Sequence, residues 1–370
     1  MARSKTSYDD LIDRLRLIRT DGVGPVAFDH LVGLYGTAAA ALEALPGLAR
    51  KGGGRPLRVP SRAEAERELA AVAAAGARLL AKGEADYPRL LAATEAAPPL
   101  ITVKGHLHLA ARPAVALVGA RNASAAGQRI AREMAADIGR AGIVVVSGLA
   151  RGIDGAAHAA TLDSGTIAVV AGGIDVVYPP EHAALQARIG DSGLLVAEMP
   201  IGTEPQARHF PRRNRLISGL SLGVVVVEAA VKSGSLITAR FALEQGRDVM
   251  AVPGSPLDPR ARGANDLIRQ GARLVENGAE VVEALHPMIE APLAEPEGRD
   301  FAGPPLKAPD EAEVDRHRAG VTALLSPVPI AIDELVRQSE LTPPLVFTIL
   351  LELELGGRLV RHAGGRVSLI

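Results

Sequence analysis

Between residues 100 and 255 the chain alternates short, continuously apolar runs with longer segments whose apolar residues recur at helical spacing. The runs at residues 101–105, Ala114–Val118, Ile143–Ser147, Ile167–Ala171, Leu194–Glu198, Gly223–Val227 and Asp248–Val252 predict strands. Segments Ser124–Arg140, Asp154–Leu162, Arg212–Leu220 and Ser235–Gln245 predict helices between them. Strands that are apolar on both faces need cover on both faces. The pattern therefore predicts an α/β, doubly wound, mostly parallel Rossmann-like sheet, with ligands bound beyond the carboxyl ends of its strands.

The flanks follow other patterns. Residues 9–20 and 26–36 show helical spacing on either side of Gly22-Val23-Gly24-Pro25, with a second break at Leu45-Pro46-Gly47-Leu48. This predicts an N-terminal helical domain of the helix-hairpin-helix or SAM-like kind over residues 1–75. Residues 61–81 predict one alanine-rich helix, and the Rossmann-like domain spans 76–290. The six prolines of residues 286–310 predict a linker over 291–309. Residues 310–370 then predict three helices and a hairpin, a winged helix. Its third helix has no Lys or Arg between Leu341 and Gly357 and carries Glu352 and Glu354. It is therefore expected to dock onto protein rather than read duplex DNA.

Composition narrows the function. Apolar residues make up 48% of the chain but aromatic ones only 2%, so the cores rest on Ala, Val, Leu and Ile. Lys and Arg number 41 against 42 Asp and Glu, so any attraction for a polyanion must come from local clustering. The absence of cysteine excludes thiolate metal sites and cysteine catalysis. The longest apolar run, Leu222–Val231, is broken by Glu228 and falls short of the roughly 20 residues a bilayer span needs, so a soluble cytoplasmic protein without a membrane partner is expected. Neither a Gly-Lys-Ser/Thr loop nor a G-x-G-x-x-G turn follows the first strand, and no cofactor or metal is expected.

Chemistry concentrates at the predicted strand ends. Arg208, His209, Phe210, Arg212, Arg213 and Arg215 crowd the start of one helix. Positive charge there opposes the helix dipole, so a ligand is the better reason for it. Phe210 offers a ring for base stacking, and Lys232-Ser233-Gly234-Ser235 opens the next helix as a phosphate position. Gly119 and Arg121, with Ser124 as a helix cap, form a weaker anion motif, and Ser147-Gly148 with Gly152 allow close backbone approach. Asp154 is placed to cap the helix carrying His158, which reads as a packed helix residue. Residues 171–180 and 198–202 read as walls of the site.

Taken together, SGLARGIDGAAH (147–158), GGIDVVYPPEH (172–182), the stretch 210–254 and GANDLIRQGA (263–272) resemble the DNA-processing protein A family, also called DprA or Smf, over residues 80–285. The resemblance implies a non-catalytic protein that binds single-stranded DNA without sequence preference. It implies protection of incoming strands in natural transformation, loading of RecA recombinase onto them, and a homodimer formed through the Rossmann-like domain. On the matching positions the family's DNA pocket falls on Arg121, Ser147, Gly148, Gly152, Phe210, Arg213, Asn214, Arg215, Lys232, Ser233, Gly234 and Ser235. Ala125-Ala126-Gly127 departs from the tyrosine that many members carry before this glycine. The competing class is a Rossmann-like nucleotide N-glycosidase, a nucleoside monophosphate phosphoribohydrolase. Such enzymes place Pro-Gly-Gly after the strand where this chain has Glu228-Ala229-Ala230. An adaptor acting through its termini is a third class. With Phe210 as the lone aromatic of the cluster, about one stacked base per pocket is expected.

Overall fold

The computed structural model describes residues 6–54, 56–290, 309–362 and 364–370. They gather into two compact units, one made of residues 68–290 and one of residues 6–67 together with 309–370. The expected linker lies outside the described residues except for its last position.

The chain opens with α1 (Tyr8–Ile18), α2 (Pro25–Tyr35) and α3 (Ala38–Lys51). Ser7 and Thr37 cap α1 and α3, and Pro25 starts α2, where its missing N–H costs nothing. The break expected at Leu45-Pro46-Gly47-Leu48 does not occur. Leu42, Leu45, Leu48 and Ala49 are all buried, and that burial carries α3 through the proline.

A second expectation also fails. The helix predicted over 61–81 stops as α4 (Arg62–Ala74), and β1 (Arg78–Ala81) follows. Gly76 takes a φ of 67°, and the Ala77 N–H bonds to the Val72 carbonyl, which ends the helix and frees Leu79, Leu80 and Ala81 to bury as a strand.

The first unit continues with α5 (Arg89–Ala92), β2 (Leu100–Gly105), β3 (Ala114–Val118), α6 (Ala125–Arg140), β4 (Val144–Ser147), α7 (Ile153–Ala160), β5 (Thr166–Val169) and α8 (Ala183–Ser192). It ends with β6 (Leu194–Ala197), α9 (His209–Gly219), β7 (Gly223–Val226), α10 (Gly234–Glu244), β8 (Asp248–Ala251), α11 (Arg262–Arg269), β9 (Arg273–Leu274) and α12 (Gly278–Glu290). Among the described residues the sheet has the order β1-β2-β6-β5-β4-β3-β7-β8-β9. All pairs from β6 to β9 are parallel, and β2 and β1 add an antiparallel edge. Alternate strand residues feed two cores. Ala116, Val118, Val224 and Val226 pack towards α9 and α10, while Val115, Leu117 and Val225 pack towards α6 and α12. From β3 the chain winds to one side through β4, β5 and β6, then to the other through β7, β8 and β9. A crevice therefore opens at the carboxyl ends of β3 and β7, where a doubly wound sheet holds its ligand.

The second unit adds α13 (Glu311–Ala323), β10 (Ile330–Ala331), α14 (Ile332–Ser339), α15 (Pro343–Leu355), β11 (Leu359–His362) and β12 (Arg366–Leu369), the three helices and small sheet of a winged helix. Ile349, Leu350 and Leu353 of α15 bury in the winged helix itself, whereas Leu351 and Leu355 bury among Leu17, Phe28, Leu31 and Leu45 of α1, α2 and α3. The α15 helix is thus covered on both sides, as its lack of basic residues suggested. Glu352 pairs with Arg318 at 2.8 Å and Glu354 with Arg361 at 2.7 Å.

Candidate nucleic-acid interface

A cavity of about 850 Å³ occupies the crevice. Its walls are the β3–α6 loop (Gly119, Ala120, Arg121, Asn122), α9 with the residues before it, the start of α10 and Tyr178 from the β5–α8 connection. One face of α9 points into it. At 100° per residue, Phe210, Arg213, Asn214 and Ile217 cluster on one side, and all four line the cavity. Arg208, Arg212 and Arg215 fall on the other side. Arg208 and Arg212 are exposed, while Arg215 is bound to Glu198 and to the Ala96 carbonyl, away from the cavity.

Arg121 and Lys232 bring exposed positive charge to the rim. The Arg121 guanidinium lies 4.6 Å from the centroid of the Phe210 ring, a cation–π contact. Tyr178 meets the same ring at 5.4 Å, tilted by 54°. Opposite, Ser233 caps α10, and Ser235 touches its hydroxyl at 2.8 Å. The first turn of α10 lines the cavity next to Lys232 and holds no acidic residue, so the positive end of its dipole and the Lys232 charge suit an anion. The Ser235 and Leu236 amides are already bonded to Ser233.

The family model of DNA recombination-mediator protein A matches residues 78–286, which contain this whole cavity. The chain belongs to that family. Models of the DprA-like N-terminal HHH domain and the DprA winged helix domain match residues 8–71 and 305–365. Protein Smf of Escherichia coli K12 is 41% identical over 286 residues, 76% of this chain and 75% of its own. The DNA processing protein DprA of Streptococcus pneumoniae R6 is 46% identical over 198 residues, 53% of this chain and 70% of its own. The X-ray structure of DNA processing protein A from Streptococcus pneumoniae superposes with a TM-score of 0.58 at 38% identity, covering 67% of this chain and 82% of that one. The Helicobacter pylori family member, studied for its single-stranded DNA binding mode, gives 0.52 at 26% identity over 57% of this chain and 96% of that one.

Of the residues that the family resemblance singles out, Arg121, Phe210, Arg213, Asn214, Lys232, Ser233, Gly234 and Ser235 meet at the cavity. Gly148 lines a small cleft beside it. Ser147 and Arg215 do not reach it: the Ser147 hydroxyl donates to the Leu117 carbonyl at 2.6 Å, and Arg215 faces away. Gly152 lies behind the wall, against the carbonyls of Ala120 and Arg121.

Arg213 is present but committed elsewhere. Its guanidinium is buried and donates to the carbonyls of Gly148 and Val169, at the ends of β4 and β5. Burial, with Arg121 nearby, lowers its pKa to about 10, against the favourable charge of Asp154, so it stays cationic at neutral pH. The loop above it is fastened from within. Asp154 does not cap α7 as the sequence suggests. Its carboxylate accepts from the amides of Gly148 (3.2 Å) and Ala150 (3.3 Å), and burial raises its pKa. His158 Nε2 accepts from the Leu149 amide at 3.3 Å, and its Nδ1 sits 2.7 Å from the Thr166 hydroxyl, which itself donates to the Val145 carbonyl. That fixes a neutral ring with the proton on Nδ1, and burial lowers its pKa to about 3. Leu149 is held at a φ of 56°, a conformation that this network over-determines. The amides of 148–150 are therefore already spoken for by side chains beneath the loop.

The α6 terminus is filled in the same way. Glu228 accepts from the Ser124 amide at 2.9 Å and from the Ser124 hydroxyl, while Ser124 caps Gly127 at 2.8 Å. An internal carboxylate thus occupies the anion position expected next to Arg121. Tyr178 lines the cavity within the segment read as wall, whereas sequence reasoning missed Arg260 and Asp154 as lining residues. Nothing local marks Arg260. Among the described residues no three His, Asp or Glu side chains come together as metal ligands would.

Proposed function

We propose that this chain binds single-stranded DNA in the cavity between β3 and β7, without reading sequence and without catalysis. The observation that carries the reading is the pairing, across one cavity, of an arginine–aromatic cluster (Arg121, Phe210, Tyr178) with a lysine-flanked helix start free of acidic residues (Lys232 to Ser235). Phosphates would lie on Lys232, Arg121 and the positive end of α10, with a base against the aromatic pair. The Helicobacter pylori relative's single-stranded DNA binding mode supports this assignment.

Protection of strands entering by natural transformation and loading of RecA recombinase onto them belong to the same reading, which rests for them on family membership. A cytoplasmic homodimer fits as well. Leu243 at the end of α10, Leu257 in the loop after β8 and Leu274 on the edge strand β9 are exposed apolar residues suited to a second copy. Nucleotide cleavage is disfavoured because Glu228-Ala229-Ala230 stands after β7 where such enzymes carry Pro-Gly-Gly, and the Glu228 carboxylate is engaged by the Ser124 amide.

The test is a titration with single-stranded and duplex oligonucleotides at several salt concentrations. Single strands should be preferred, and the logarithm of the binding constant should fall with the logarithm of salt by about 0.7 for each neutralised phosphate. Equal, salt-insensitive binding of both forms, or release of free base from nucleoside monophosphates, would overturn the assignment.

A further inference from the structure

The Phe210 ring, the obvious stacking platform in the sequence, is already engaged. Arg121 lies over it at 4.6 Å, and Tyr178 leans on it at 5.4 Å. These three residues line both the 850 Å³ cavity and the adjoining cleft, so they form the partition between the two. The cleft offers only about 20 Å³, space for roughly one water and far too little for a base. A base that stacks here must do so from the large cavity. The aromatic surface left open is that of Tyr178, which is 39% exposed, whereas Phe210 is half-buried on α9.

From this geometry we infer that Tyr178 is the platform on which a nucleobase of the bound strand stacks, and that Phe210 is the pillar that positions Arg121 for phosphate. The inference rests on the reading of the cavity as a single-strand site. It assigns the two aromatic rings different tasks. Tyr178 contributes contact that is independent of salt, because stacking on a neutral ring releases no counterions. Phe210 acts through charge, because without the ring beneath it the Arg121 side chain loses its fixed place and with it much of its electrostatic contact.

The chain has no tryptophan, so Tyr178→Trp creates a single fluorescent reporter at the proposed platform. Binding is followed in parallel by the anisotropy of a labelled oligothymidine, which reports the strand and not the ring. Tryptophan emission in Tyr178→Trp should be quenched in step with the anisotropy. Tyr178→Ala should weaken binding by about five- to a hundredfold with the salt slope unchanged, and Tyr178→Phe should bind as the wild type does. Phe210→Leu should instead flatten the salt slope by up to about 0.7, as Arg121→Ala does. Thermal melts of all variants confirm that they are folded. Wild-type binding with an unaltered Tyr178→Ala affinity, or anisotropy without quenching, overturns the inference while leaving the single-strand reading intact. Failure of the wild type to bind single strands at any salt concentration removes both.

Discussion

The arginines of the 208–215 cluster have different fates, and the difference is measurable. Arg213 satisfies two buried carbonyls and lies near the buried carboxyl of Asp154. Arg213→Ala leaves those groups without a partner, so it should cost about 3–5 kcal/mol of stability in a denaturant melt before any effect on DNA is considered. Arg213, which the family resemblance places in the DNA pocket, thus also has a structural task. Arg121 is exposed, so Arg121→Ala should leave the melt unchanged and reduce the salt slope of strand binding by about 0.7. Histidines give a second measurable signature. Burial lowers the pKa of His158 to about 3, and that of His30, in the other unit, to about 4, with Arg361 adding to the effect. Both rings are neutral when folded but titrate near 6.5 when unfolded, so their stabilisation is complete above pH 6.5 and is lost as the pH falls towards 3–4. Melts between pH 6 and 4.5 should show a loss approaching about 1.4 kcal/mol per pH unit for each histidine, and His30→Leu should remove that loss from its unit alone. The His30 Nε2 is buried without a hydrogen-bond partner, so the leucine strands no polar group.

Elements were legible where a local pattern decided them and illegible where a distant contact did. The parallel strands announced themselves because each is apolar on both faces, and the capped helices α6 and α10 because Ser124 and Ser233 precede them. The α3 helix ran through Pro46 because its buried face belongs to a core shared with α15, which lies some 300 residues further along the chain. That junction depends on close backbone approach. A Cβ on Gly52 would overlap the carbonyl of Glu352, so Gly52→Val should destabilise the α1–α3 and winged-helix unit by about 1–3 kcal/mol. Limited proteolysis would detect this as faster cleavage within residues 6–54, while strand binding by the Rossmann-like unit should stay at the wild-type value.

At the scale of the whole molecule, the cavity and the cores that support it lie in one unit. The clusters that support the cavity draw on residues 72–285, so a fragment of residues 61–290 should bind single strands as the full chain does. Removing residues 309–370 from the full chain should behave differently. It takes Leu351 and Leu355 out of the core of α1–α3, and calorimetry should show that helical segment melting early or without cooperativity. The sequence by itself determined the Rossmann-like sheet, the helical and winged-helix flanks and the loops that gather at the carboxyl ends of the strands, because periodicity and strand-end chemistry are properties of neighbouring residues. Only the tertiary structure decided which candidate groups remain available to a ligand. Arg213 is claimed by a carbonyl 65 residues away, the α6 terminus by a carboxylate 104 residues away, and Phe210 by Arg121 and Tyr178. The physical reason is that a buried polar group must find a partner, and the identity of that partner is fixed by how the chain packs, not by what stands beside it in sequence.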